Sequence, residues 1–139
     1  MHETLQARWT EIGDKLVELA KDFPEDRYDA APSSGTRTFA EQLRHVAFWN
    51  DYAARRLQQQ DADGSANEVP RSAAPTKAKV VDVLRRSFDD VGKEIRHMNG
   101  STAAADVDTV ISFIEHNGEH YGQLVLYFRL AGLVPPSSR

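Results

Sequence analysis

The segment from Val110 to Phe128 is apolar almost all round, yet it carries two histidines, His116 and His120. Val110, Ile111, Phe113, Ile114, Leu124, Val125, Leu126, Tyr127 and Phe128 leave a helix little polar face, so it must be buried on several sides or cover a subunit interface. At about 3.6 residues per turn, positions four apart share a face, and the two imidazoles can reach one point. That is half of a metal site, in a segment where uncompensated imidazoles are disfavoured. Gly118 and Gly122 each cost up to about 1 kcal/mol relative to Ala in a helix interior. Four apart on one face, they predict close approach of a neighbouring backbone or of a ligand. This helix begins between Ala103 and Thr109 and ends at Ala131-Gly132, ahead of Pro135-Pro136.

Three amphipathic helices precede it. From Glu3 to about Lys21, Leu5, Trp9, Ile12, Leu16 and Leu19 recur in steps of four and three, and Phe23-Pro24 ends the run. After a Pro-, Ser- and Gly-rich loop, Thr38-Phe39-Ala40-Glu41 matches a capping box. It starts a second helix that reaches about Gln60, with Phe39, Leu43, Val46, Ala53 and Leu57 as its stripe and Asn50 as an odd polar member. His45 falls roughly 120° from the centre of that stripe, at the edge of the core. Thr76 caps a third helix bearing Val81, Leu84, Phe88, Val91, Ile95 and Met98, with Asn99-Gly100 as a left-handed stop and His97 a surface residue of its last turn. The connection from Asp61 to Pro75 has almost no large apolar residue and exceeds the usual range of about 2–8 for bundle loops. That length permits a crossover between helices running the same way. One all-α domain spanning residues 1–139, a four-helix bundle, is the expected fold.

Composition removes several functions. The 17 Lys plus Arg are scattered among 21 Asp plus Glu, for a formal charge of -4, and no basic stripe suited to nucleic acid appears. The absence of cysteine excludes disulfides, thiolate-bound zinc and a protein thiol nucleophile. No apolar run is long enough to span a bilayer, and the first residues lack a signal-like apolar stretch, so no membrane and a cytoplasmic location are expected.

Any metal must therefore be held by nitrogen and oxygen. His45, on a core-flanking position of the second helix, is available to join His116 and His120; the alternative for all three is a satisfied or partly exposed core histidine. Three His ligands leave open positions for water or substrate. Gln123, near the same face as His120, is placed to orient a ligand or a metal-bound water, or else is an exposed or interface residue. His116 to His120 also spells H-x-x-E-H, with Glu119 in the place of the general base of inverzincin peptidases. Nothing else in the chain suggests a peptide groove.

The segment His116, His120, Gly122-Gln123-Leu124, Tyr127-Phe128-Arg129 and Gly132-Leu133-Val134-Pro135-Pro136 resembles the C-terminal helix of DinB/YfiT-like proteins. Glu41, Leu43 and His45 match the family's Glu-x-Leu-x-His context on the second helix. The resemblance follows the whole chain in element order, with specific motifs in these two segments. Glu119 stands where the family often has a second His, and Tyr121 where it often has an Arg. What the resemblance implies is a bundle of up-down-down-up order, often a homodimer, with a divalent metal such as zinc or nickel on His45, His116 and His120. Characterised relatives include transferases and isomerases that use a low-molecular-weight thiol. The expectation is thus a small-molecule enzyme in which the metal lowers the pKa of a thiol that attacks an electrophile, with Trp49 and Tyr121 as candidates to line the pocket. Two alternatives stand beside it: a metal-dependent hydrolase with Glu119 as base, and a non-catalytic metal- or ligand-binding dimeric bundle.

Overall fold

The structure is a computed structural model that describes residues 1–139, all of the chain. Four helices, α1 (His2–Asp22), α2 (Phe39–Leu57), α3 (Lys77–His97) and α4 (Ala104–Leu130), are joined without any strand, and short 3-10 turns lie at Glu25–Arg27 and Pro136–Ser138. No helix is long and apolar enough to cross a membrane.

Side-chain contacts fix the helix directions. The Trp9 indole N–H donates to Phe88 O at 2.9 Å while Lys77 Nζ reaches Phe23 O, so α1 and α3 run antiparallel. Asn50 bonds Ser87 and Gln58 bonds Glu94, so α2 and α3 run parallel. Gln42 meets Gln123 at one end of α2 and Gln59 meets Asp106 at the other, so α2 and α4 run antiparallel. The order is up-down-down-up. It requires the segment between α2 and α3 to travel the length of the bundle, which accounts for its length.

The helix starts follow the local chemistry. Glu41 N–H donates to Thr38 Oγ1 at 3.1 Å and Thr38 N–H donates to Glu41 Oε2 at 2.9 Å, a complete capping box that fixes where α2 begins. Thr76 accepts from Lys79 N–H at the start of α3. The α1 stripe is buried as expected except at Ile12, which is half-buried. Gly13 instead faces the centre, where a Cβ would lie 2.9 Å from the Phe88 ring. On α3 the buried member of the first turn is Val80, with Val81 half-buried. Phe23, Phe39 and Phe128 close one end of the core, the first two stacked at 3.9 Å.

Several local expectations are corrected. α2 ends at Leu57, three residues before Gln60, because Gln59 turns to a φ of 58°. α3 does not stop through a left-handed Asn99-Gly100: Met98 is already extended, and Asn99 instead uses its side chain to accept from Ser101 N–H. Of the two expectations for the apolar surface of α4, burial on several sides is not met within this chain: the helix packs chiefly on α1 and α2 and leaves Ile111, Leu126 and Leu130 exposed. Gly118 and Gly122 lie on that open face, and a Cβ at either would meet nothing within 4 Å. No backbone of this chain approaches them.

Candidate metal centre

The facing middles of α2 and α4 bring three imidazoles together. His45 lies on α2, and His116 and His120 lie four apart on α4. The ring nitrogens they offer lie within 4.8 Å of one another. His45 Nε2 and His116 Nε2 are 3.3 Å apart. His45 and His120 are each 7% exposed, so His45 belongs to the core and not merely to its edge.

The outer nitrogens decide which atoms are free to bind. His45 Nδ1 lies 2.8 Å from the backbone carbonyl of Asn67. A carbonyl only accepts, so Nδ1 carries the proton and Nε2 keeps its lone pair. His120 Nδ1 lies 2.7 Å from Gln42 Oε1, and Gln42 Nε2 in turn donates to Gln123 Oε1 at 2.8 Å. This chain orients the His120 ring in the same sense. His116 Nδ1 and Asn117 Oδ1 are both buried without a partner, and the Asn117 carboxamide favours the charged form of the His116 ring.

Electrostatics hold the rings neutral. Burial, chiefly, pushes His45 down to about 4, against the opposing pull of its bond to Asn67; Arg37 and His116 add to the lowering. Burial, with the charges of His116, His45 and Arg37, takes His120 to about 3. His116 is also lowered by burial, partly offset by Asn117 and Glu119. Neutral imidazole is the form that ligates a metal. Two nitrogens on one tetrahedral zinc, each about 2.0–2.1 Å from it, are roughly 3.3–3.4 Å apart. The donor set, its protonation and its spacing fit a divalent cation.

The remaining four candidates take four different positions. The Trp49 ring is 6.4 Å from those of His45 and His116, and its N–H donates to Asn67 Oδ1 at 2.8 Å, so it walls the cluster. Gln123 acts on His120 only through Gln42. Glu119 is exposed and bonded to nothing, although its charge reaches His116. Tyr121 is not brought to the imidazoles. One residue of helix turns it away from His120, toward Lys15 of α1, and its hydroxyl bonds Ser137.

Sequence reasoning missed two residues that hold the imidazoles in place. Gln42 lies three residues before His45 on the same flank of α2, at about 100° per residue, and that position was its only signal. Asn67 sits in a segment without apolar periodicity; its φ of 60°, which Asn tolerates, aims its carbonyl at His45. A cavity of about 670 Å³ lies on the far side of Gln42 from His120, lined by Gln42 and Gln123 on one side and by the loop before Thr38 on the other; none of the three histidines lines it.

A four-helix bundle of this order with an inward-facing three-histidine set defines a class of metal-binding helical proteins. A family model described as the DinB superfamily matches residues 8–128, and the chain belongs to that family. No curated protein matches the chain.

Proposed function

We propose that this protein is a metal-dependent enzyme of the DinB superfamily that transfers the sulfur of a low-molecular-weight thiol to an electrophilic small molecule, with His45, His116 and His120 as the ligands of zinc or nickel. The observation that carries the reading is the convergence of three neutral imidazoles, with a cavity of small-molecule size one side chain away across Gln42. A divalent metal held there would lower the pKa of a coordinated thiol, supplying a nucleophile that the cysteine-free chain does not contain. Asn67 and Gln42 keep the His45 and His120 rings in the tautomer that presents Nε2. Trp49 excludes water from one flank of the cluster, and the cavity receives the electrophile on the other.

Protein purified without a chelating tag is expected to contain close to one divalent ion per chain, lost in His120→Ala, and to consume an electrophile only when thiol is added. Thiol-independent cleavage would favour hydrolysis with Glu119 as base, and Glu119→Gln would then abolish it. Metal-free wild-type protein would sink the reading altogether. We also propose that the protein pairs as a homodimer through the open face of α4, where exposed Ile111 and the unopposed Gly118 and Gly122 let a second copy approach closely. Sedimentation of Gly118→Glu as a monomer, against a dimeric wild type, is the expected result.

A further inference from the structure

Arg37 differs from the other cations of this chain. It is half-buried in the loop that leads to Thr38, and it is the one charged residue lining the cavity beyond Gln42. Its backbone is pinned, the Tyr127 hydroxyl donating to Arg37 O at 2.5 Å, but its guanidinium makes no hydrogen bond and no ion pair. The nearby acids are committed elsewhere: Glu41 caps α2 by accepting from Thr38 N–H, and Glu68 pairs with Arg44 at 3.8 Å. The charge of Arg37 is felt by all three imidazoles, so guanidinium and cluster share one neighbourhood. The opposite wall carries Leu126 and Leu130, 54% and 64% exposed, and Gln42 links the cavity to His120. A guanidinium left unpaired at the wall of a cavity is a ready partner for an oxyanion, which it can grip through two parallel N–H bonds. A lone cation suits a singly charged carboxylate better than a dianionic phosphate, which calls for more than one positive group.

We propose that the cavity between the loop before Thr38 and α4 is the subsite for a small organic carboxylate, with Arg37 as its anchor and Leu126 and Leu130 as the bed for its apolar body. This deepens the reading of the metal centre by naming the substrate class, since a molecule held so places its far end at Gln42, the residue that bonds His120. Anchoring itself does not depend on the metal.

Calorimetric titration with phenylacetate, its neutral isostere phenylacetamide and inorganic phosphate tests it, first on chelator-stripped protein and then on zinc-loaded protein. The acid is expected to bind about tenfold tighter than the amide in both forms. Arg37→Gln is expected to erase that difference while leaving amide affinity unchanged, and Arg37→Lys to retain part of it; thermal unfolding confirms that each variant is folded. Equal binding of acid and amide to the stripped protein, no binding of the acid, tighter binding of phosphate, or a preference that survives Arg37→Gln would each overturn the proposal. A preference seen only with zinc and kept in Arg37→Gln means carboxylate on the metal, which overturns the anchor and supports the metal reading. An Arg37-dependent preference in protein that takes up no zinc supports the anchor and sinks the metal reading.

Discussion

Gln42 is 4% exposed and spans two roles, accepting from His120 Nδ1 and donating to Gln123 and to the Tyr127 hydroxyl. Replacing it with Leu keeps the volume but leaves the His120 N–H without an acceptor. On the proposed reading, Gln42→Leu is expected to weaken zinc binding about tenfold or more, the usual cost of losing the acceptor behind a ligating imidazole, as read by competition with a chromophoric chelator. The three clustered imidazoles were legible: the i,i+4 spacing of His116 and His120 follows from helix geometry, and His45 from its place at the edge of the α2 stripe. Gln42 and Asn67 were not, because hydrogen bonds reaching 78 and 22 residues along the chain leave no local pattern. Tyr121 shows the reverse limit. Proximity to His120 in sequence suggested a pocket residue, and one step of helical rotation removes it from the cluster.

Among the elements, the crossover from Gln58 to Thr76 carries more of the site than its composition suggests. It delivers the Asn67 carbonyl to His45 and the Asn67 side chain to Trp49, and it is anchored by Val69 N–H on Arg44 O and by fully buried Ala74. Where it passes the indole there is no room, since a Cβ on Gly64 would lie 2.7 Å from Trp49 Cη2. That atom is the tip of a rigid ring held by its own N–H bond, so it cannot swing aside cheaply. Gly64→Ala is expected to cost about 1–3 kcal/mol and to shift Trp49 fluorescence. Unchanged emission and urea midpoint would show that the crossover gives way instead. The helices were readable from their stripes and caps, whereas this segment has neither, and its path is set by the tertiary partners it covers.

At the scale of the molecule, the core combines an aromatic end with a polar bridge. Asn50, Ser87 and Asn117, all essentially inaccessible, join α2, α3 and α4 through bonds of 3.1 and 3.0 Å, which explains the polar residue in the α2 stripe. The buried imidazoles give the metal-free protein a definite pH response. Unfolded histidines titrate near 6.5, whereas folded His45 and His120 do so only at about 4 and about 3. Between those values the unfolded chain binds more protons, so stability is full above about pH 6.5 and falls as the pH drops toward the folded values. Asp51, raised to about 6 by burial and by Asp90, acts in the opposite sense, but it lies at the surface, where solvent screens it. Urea midpoints of chelator-treated protein are expected to fall between pH 7 and pH 5, and to fall less in His120→Leu.

The two nitrogens that face each other at 3.3 Å belong to residues 71 apart, one on α2 and the other on α4. On the ribosome, His45 emerges long before His116, and the loop between them must close before either ring has its counterpart. A nascent chain that has made α1, α2 and α3 therefore presents only one imidazole of the cluster, His45, too weak a trap to hold a cation against the cell's other ligands. On the proposed reading, metal uptake comes after translation and marks the docking of α4, so that an ion-loaded molecule is also one that has finished folding.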